Sequence, residues 1–395
     1  TPERGAGPYA AGWTAAGMLS PVAELECADA AVLAMGLQSI QLWRRLLALL
    51  PAPVEFSQQG SLLLAHRGDE GAARRTVDLL VRKAPLQLAP QALDAAQLRA
   101  LEPAVHGPAQ AWLLPCEGRI HTVQAMAALA EAATVRGARW HWGQAVDAVE
   151  PGALLLRGAG QRRYDWTFDV RGTGARPQQP ARGEHHGFTP QVRGVRGEIF
   201  WLHAPGLVLH RPLRLLHPRH RVYIVPREGD RVVVGASEIE SEDRSPVSVR
   251  STVELLAAAH SVLPELAEAR IIHSEANLRP ALPDNLPRLE MEAGMTRING
   301  LFRHGWLIAP ALVEQALQQV MPEVEHVAHA CAPVMAVTAV MPGSTPSAVM
   351  PGSTPSAVMP GSTRHPGCST PAENQQPGLR VKPAMTAEPA TTGVG

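Results

Sequence analysis

The sequence predicts an α/β protein with two interleaved domains of mixed helix and strand, followed by a low-complexity tail. Three observations predict it. Segments with helical periodicity alternate with short apolar runs bounded by glycine and proline up to about residue 330. Runs that read as strands cluster at 197–236, between segments where helices and strands alternate, so one domain interrupts the other. Composition then changes near Cys331: from Pro333 onward there is no Phe, Trp or Tyr, and Pro, Gly, Ser, Thr and Ala dominate.

Asp29 to Leu50 reads as a helix with Leu33, Ala34, Leu37, Ile40, Leu42 and Leu46 on its apolar side. Thr122 to Arg136 is a second helix, stopped by Gly137 and followed by the strand-like Ala138 to Trp142. Trp166 to Val170 is a short strand that runs into Gly172 and Gly174, and Gly197 to His203 is another. Arg221 to Pro226 and Arg231 to Ala236, joined by Arg227-Glu228-Gly229-Asp230, form a hairpin. Ser248 to Val262 is a helix with Val249, Val253, Leu256 and Leu263 on one side. Ile271 to Leu278 and Thr296 to Phe302 are strands, and the last helix runs from Pro310 to Met321.

The tail, 332–395, carries AVMPGSTPS at 339–347 and 348–356, then AVMPGST at 357–363. Such units bury too little surface to offset chain entropy, so this segment is expected to be disordered; translation of non-genic DNA explains it equally well. The 395 residues (42.2 kDa) thus hold roughly two domains at ~150 residues each.

Thirty-six basic residues, only Lys83 and Lys382 being lysine, balance 36 acidic ones, which removes the bulk field that nucleic acid or an anionic membrane would need. Cys27, Cys116, Cys331 and Cys368 form no CxxC pair, which argues against a disulfide framework or a cysteine zinc site. The most apolar helix, Ala30 to Leu50, is broken by Gln38, Gln41, Arg44 and Arg45; no membrane insertion and no signal peptide are expected, and the location expected is cytoplasmic.

A dinucleotide site needs a strand, a glycine turn and a helix N-terminus, so that pyrophosphate meets bare N–H groups. Gly5-Ala6-Gly7-Pro8-Tyr9-Ala10 matches G-x-G-x-x-A but has no strand to feed it and reads as a loop. Phe168-Asp169-Val170-Arg171-Gly172-Thr173-Gly174-Ala175 has the strand, although a plain strand-end turn has the same pattern.

Three further stretches decide how that turn is read. They are Ala15-Ala16-Gly17-Met18-Leu19-Ser20-Pro21-Val22-Ala23-Glu24; Leu216-His217-Pro218-Arg219 with Val222-Tyr223-Ile224-Val225-Pro226-Arg227 and Val234-Gly235-Ala236-Ser237-Glu238; and Leu278-Arg279-Pro280-Ala281-Leu282-Pro283-Asp284-Asn285-Leu286-Pro287 with Asn299-Gly300-Leu301-Phe302-Arg303-His304-Gly305-Trp306. In combination and order they resemble the FAD-dependent amine oxidases of the D-amino-acid oxidase superfamily, and within it the glycine oxidases of thiamine biosynthesis. The resemblance runs from about residue 9 to about residue 320.

It implies a Rossmann-like FAD-binding domain of 1–50, 118–182 and 275–330, interleaved with a mixed or antiparallel-sheet substrate domain of 51–117 and 183–274. The family's opening βαβ unit, with its G-x-G-x-x-G, is missing, so the chain, which starts at Thr1, is expected to be N-terminally truncated. The resemblance implies FAD contacts from Ala16, Gly17, Met18, Val146, Gly172, Thr173, Gly174, His304, Gly305, Trp306 and Leu307. The helix starting near Ala309-Pro310 is expected to point its positive N-terminal end at the flavin.

A guanidinium holds a carboxylate through two parallel charge-assisted hydrogen bonds, and the resemblance gives that role to Arg279; read alone, Arg279 equally pairs with Asp284. Tyr223, one of three tyrosines, is either a second substrate contact or a core tyrosine sharing a face with Val225. Glu238 lines the family's substrate cavity at a position often apolar there, where an acid repels a carboxylate or shapes amine recognition. Arg303 is expected near flavin and amine. No side-chain base is required for hydride loss from Cα.

The implied reaction is oxidative deamination of glycine or a small D-amino acid, with oxygen reduced to hydrogen peroxide and the imine used for the thiamine thiazole. The implied partners are a small amino acid and oxygen, with a homo-oligomer expected from the relatives' habit. Two other readings stand beside it: a truncated, non-catalytic fragment that holds no FAD, and a flavoenzyme like sarcosine oxidase or D-amino-acid dehydrogenase. His326, His329 and Cys331 lack a fourth metal ligand, His185, His186, His217 and His220 read as surface or loop histidines, and Trp140 and Trp142 as core or loop anchors. There is no G-x-S-x-G elbow.

Overall fold

The structure is a computed structural model, and residues 10–176, 191–216 and 221–320 are described. The chain divides into Thr1–Ala336 and Val337–Gly395, and the second unit lies wholly outside those residues. So do the repeat tail at 332–395, Gly5 to Tyr9, the histidines at 185, 186, 217, 220, 326 and 329, and Cys331.

The backbone of the first unit is an eight-stranded mixed sheet. Its order is Arg270–Ala281, Arg193–His203, Arg231–Gly235, Arg221–Arg227, Leu213–Leu216, Ser61–Ala65, Gln110–Leu114 and Gln91–Leu93. Only Leu213–Leu216 with Ser61–Ala65 is parallel; every other pairing is antiparallel. Strand alternation separates two apolar faces. Val222, Ile224, Val232 and Val234 pack with Phe200, Leu255 and Ala259 on one side. Tyr223, Val225 and Val233 pack with Ile199, Trp201 and Ala16 on the other.

Among the described residues there are also three smaller three-stranded sheets. In one, Thr167–Asp169 pairs in parallel with Met295–Asn299, which brings the Gly172 turn beside the start of the last helix. That helix, Gly305–Val320, packs against Ala30–Leu47 through Val32, Ile40, Leu307, Ile308 and Leu312. Among the described residues no helix is long and apolar enough to cross a membrane.

Several expected elements differ from those observed. The last helix starts at Gly305 rather than Pro310, so Pro310 lies inside it. A proline there deprives the carbonyl four residues back, Trp306 O, of its helical donor. The Trp43 indole N–H donates to that carbonyl instead, at 2.9 Å, and Trp43 stacks on Trp306 at 5.4 Å. Tertiary structure thus repairs a helix that proline rules would end.

The helix Ala30–Leu47 buries Val32, Leu33, Gly36, Ser39, Ile40 and Trp43, a stripe turned from the expected one, and exposes Ala34. Gly36 is the reason: its missing side chain lets Pro21 and Leu307 approach, since a Cβ there would lie 3.0 Å from each. The helix Val249–His260 buries Ser251, Leu255 and Ala259, whereas Val249 is 80% and Val253 62% exposed. Its Ser248 cap accepts from Ser251 N, and the Ser248 amide donates to buried Glu198, so capping chemistry sets its rotation. Ala138 to Trp142 is no strand; the exposed Trp140 and Trp142 stack on each other at 5.0 Å.

Candidate active site

The apolar face built on Tyr223 and Val225 stops at a cavity of about 1280 Å³, more than the roughly 300–1,000 Å³ typical of a small-ligand site. Two glycines clear its floor. Tyr223 pairs with Gly235 across adjacent strands, and a Cβ at Gly235 would lie 2.7 Å from the tyrosine ring. Arg279 pairs with Val195, and its guanidinium reaches over the diagonal neighbour Gly197.

Arg279 is half-buried, and its Nη1 donates to Ser237 O at 3.1 Å and Arg196 O at 3.3 Å. Asp284, the alternative partner, binds Arg288 instead at 3.1 Å. Among the described residues no carboxylate lies within ion-pair distance of Arg279, so a guanidinium faces the cavity with only two neutral acceptors. Burial lowers its pKa, with the Tyr223 and Glu238 side chains acting in the opposite direction. The Tyr223 hydroxyl also faces the cavity and has no hydrogen-bond partner among the described residues; burial raises its pKa, which keeps it a neutral donor.

Arg303 and His304 follow Phe302, whose φ of 46° is a left-handed conformation costly for a large side chain. The Phe302 N–H donates to Pro280 O at 2.8 Å, which ties this turn to the strand carrying Arg279. The turn aims both side chains at buried Glu24: Arg303 Nε lies 2.8 Å and His304 Nδ1 3.2 Å from Glu24 Oε2. Arg214 Nη2 takes Glu24 Oε1 at 2.8 Å. Burial raises the Glu24 pKa, but Arg303, Arg214 and His304 outweigh it and hold the carboxyl well below its usual range. The same carboxylate raises Arg303 above the usual guanidinium value against its own burial. Glu238, half-exposed, lies 3.4 Å from Arg303 Nη1.

Arg279, Tyr223, Arg303 and Glu238 therefore share one cavity. Ala16, Gly17, Met18, Gly172, Thr173 and Gly174 line it too, as do His304, Gly305, Trp306 and Leu307. Val146 does not: it lies on a separate small sheet, and its carbonyl accepts from Arg171 Nη1 at 3.3 Å.

The lining suits a flavin dinucleotide. A Cβ at Gly174 would meet only Arg171 Cβ, at 3.8 Å, so that position opens to a ligand. The first turn of the 16-residue helix Gly305–Val320 presents N–H groups without intrahelical partners to the same space. The G-x-G-x-x-A stretch at 5–10, which reads as a loop, lies outside the described residues except for Ala10.

Sequence reading missed Glu24 as the hub, together with Arg214, Gly197, Gly235 and Arg227. Buried Arg227 donates to Ala16 O and, at 3.1 Å, to Ile120 O, which fixes the backbone at Ala16. Burial, reinforced by the charge of Arg119, pushes its pKa down to about 9. Glu24 and Gly235 stand inside the quoted motifs, so the signal was present; Gly197 and Arg214 had none.

Residues 3–318 match the family model described as FAD dependent oxidoreductase (DAO). The chain is 37% identical over 314 residues to the "Putative thiamine biosynthesis oxidoreductase ThiO" of Rhizobium etli, covering 78% of this chain and 84% of that protein. It is 28% identical over 131 residues to the glycine oxidase of Geobacillus kaustophilus, 32% of this chain and 34% of that one. The crystal structure of that glycine oxidase has the same fold: TM-score 0.68 at 24% identity, covering 78% of this chain and 84% of that chain. Iminodiacetate oxidase from Chelativorans shares it as well, with a TM-score of 0.66 at 22% identity over 80% of this chain and 87% of that one. With one large cavity lined by Arg214, Arg279, Arg303 and the Gly172–Gly174 turn, the chain belongs to the DAO family of FAD-dependent oxidoreductases, an enzyme of the ThiO and glycine oxidase type.

Proposed function

We propose that this chain oxidises glycine or a small D-amino acid to the imine, which water converts to the 2-oxo acid and ammonia, while oxygen is reduced to hydrogen peroxide. The observation that carries this reading is Arg279: a half-buried guanidinium, open to the cavity, with no carboxylate among the described residues within ion-pair distance. FAD, when bound, supplies the acceptor for the two electrons that leave the substrate. Arg279 holds the α-carboxylate, and the neutral Tyr223 hydroxyl donates to the same group. Arg303, locked by Glu24, keeps a fixed positive charge at the amine end of the pocket.

On this reading the eight-stranded sheet belongs to the substrate domain, 51–117 and 183–274, and 1–50, 118–182 and 275–330 form the FAD-binding domain. The strand Arg270–Ala281 crosses between them and carries Arg279. The likeness to the Rhizobium etli protein, which is named for thiamine biosynthesis, supports a role in supplying the imine for the thiamine thiazole.

The test is direct. Purified protein should show flavin absorbance and produce peroxide with glycine, and Arg279→Ala should abolish that production while keeping the flavin. Protein that takes up no FAD overturns the oxidase reading, and an Arg279→Ala enzyme of unchanged activity removes Arg279 from the carboxylate role. Restored growth of a thiamine auxotroph lacking its own glycine oxidase would support the biosynthetic role; failed complementation by an active enzyme would remove it.

A further inference from the structure

Among the glutamates that line the cavity, Glu24 and Glu238 are not equivalent. Glu24 is buried among cations, with Arg214 and Arg303 each at 2.8 Å and His304 at 3.2 Å. Glu238 is on the cavity wall with its side chain 48% exposed, and its one contact among the described residues is Arg303 Nη1 at 3.4 Å. That is long beside the roughly 2.7–2.9 Å of a charge-assisted bond, and Arg303 is already held by Glu24 through a different nitrogen. Glu238 therefore has one long ion pair, through Oε2 to Arg303, and among the described residues its other oxygen has no polar contact on the half-exposed cavity wall.

Glu238 and Arg279 line the same cavity. The residue before Glu238, Ser237, offers its carbonyl to Arg279 Nη1 at 3.1 Å, and the Glu238 charge acts on the guanidinium from beyond ion-pair distance. A cation and an anion lining one cavity complement an α-amino acid, whose carboxylate and ammonium are separated by a single carbon. A substrate with a second carboxylate would bring like charge to this wall, the repulsive element that specificity commonly uses.

We propose that Glu238 sets the substrate class: it receives the substrate's amino group and excludes amino acids that carry a second carboxylate. This rests on the oxidase reading above. It separates the chain from a pocket built for a dicarboxylate, and it gives a purpose to an acid in one cavity with an anion-binding arginine.

The test uses FAD-loaded full chain, glycine and D-aspartate as substrates, and acetate and malonate as non-reacting ligands measured by calorimetry. The wild type should prefer glycine strongly. Glu238→Gln should raise the D-aspartate to glycine ratio of kcat/KM at least tenfold, and raise the malonate to acetate affinity ratio in parallel. Glu238→Asp, which keeps the charge, should retain the discrimination. A wild type that oxidises glycine, with both ratios unchanged in Glu238→Gln, overturns this role and leaves the oxidase reading intact. A flavin-loaded wild type that oxidises no amino acid overturns the oxidase reading and this inference with it.

Discussion

The guanidinium of Arg279 lies directly over the α-carbon of Gly197, so that a Cβ there would stand 2.4 Å from Nη1 and 2.5 Å from Cζ. The two residues sit on neighbouring antiparallel strands, offset by two register positions, and the glycine is the space in which the cation rests. The atoms a methyl group would meet belong to the far end of a flexible side chain, so the fold can yield where the site cannot.

Gly197→Ala should accordingly leave stability within about 1 kcal/mol of wild type, because no backbone strain is involved. It should lower kcat/KM for glycine at least tenfold while flavin absorbance is retained. Steady-state kinetics beside a thermal melt would check this, and unchanged kinetics would show that the guanidinium is not needed where it lies.

Tyr223→Phe removes one neutral donor and leaves the ring packed over Gly235. We expect a rise in KM for glycine of about tenfold, the value of a hydrogen bond to a charged group at about 1.5 kcal/mol, with little change in melting temperature. A KM equal to wild type would restrict Tyr223 to the core role.

Glu24 is the most heavily used carboxylate in the cavity wall. Glu24→Ala leaves Arg303 and Arg214 without their shared anion and should cost about 3–5 kcal/mol in urea unfolding at pH 7. Because its folded pKa is depressed, its contribution is complete above the unfolded value of about 4.3 and is lost as pH falls toward the folded one. The gap between wild type and variant should thus narrow below about pH 4; a gap independent of pH would mean that the ion pairs contribute nothing.

The two cysteines among the described residues should differ sharply in reactivity. Burial and the nearby charge of Glu117 push the Cys116 thiol up to about 12, whereas Cys27 is exposed, its sulfur 2.8 Å from Arg221 Nη1. At pH 8 only about 10⁻⁴ of Cys116 is thiolate, so iodoacetamide should label Cys27 at least a hundredfold faster by peptide mapping. Urea should abolish the difference; equal labelling of the folded protein would contradict it.

The hairpin of Arg221–Arg227 and Arg231–Gly235 was legible because alternation and turn residues act within a dozen positions. The helices Ala30–Leu47 and Thr122–Val135 were legible for the same kind of local reason. The buried faces of Ala30–Leu47 and Val249–His260 were less so, since Gly36 in the first and the Ser248 cap in the second fix rotation through neighbours distant in sequence. Pro310 was misplaced at a helix start because its lost hydrogen bond is restored by Trp43, 263 residues from the carbonyl that accepts it.

By itself the sequence determined an α/β chain, because periodicity and turn residues act locally. An arginine, a tyrosine and a glycine turn were joined into one kind of site by resemblance to a family, not by local propensity. Only the tertiary structure decided that Gly197 and Gly235 clear the floor beneath Arg279 and Tyr223, and that Val146 stands apart. It alone showed Glu24 satisfying two arginines while Glu238 remains turned to the cavity. Charge pairing and close contact depend on distance in space, and residues as far apart as Glu24 and Arg303 acquire theirs only when the sheets and helices have packed.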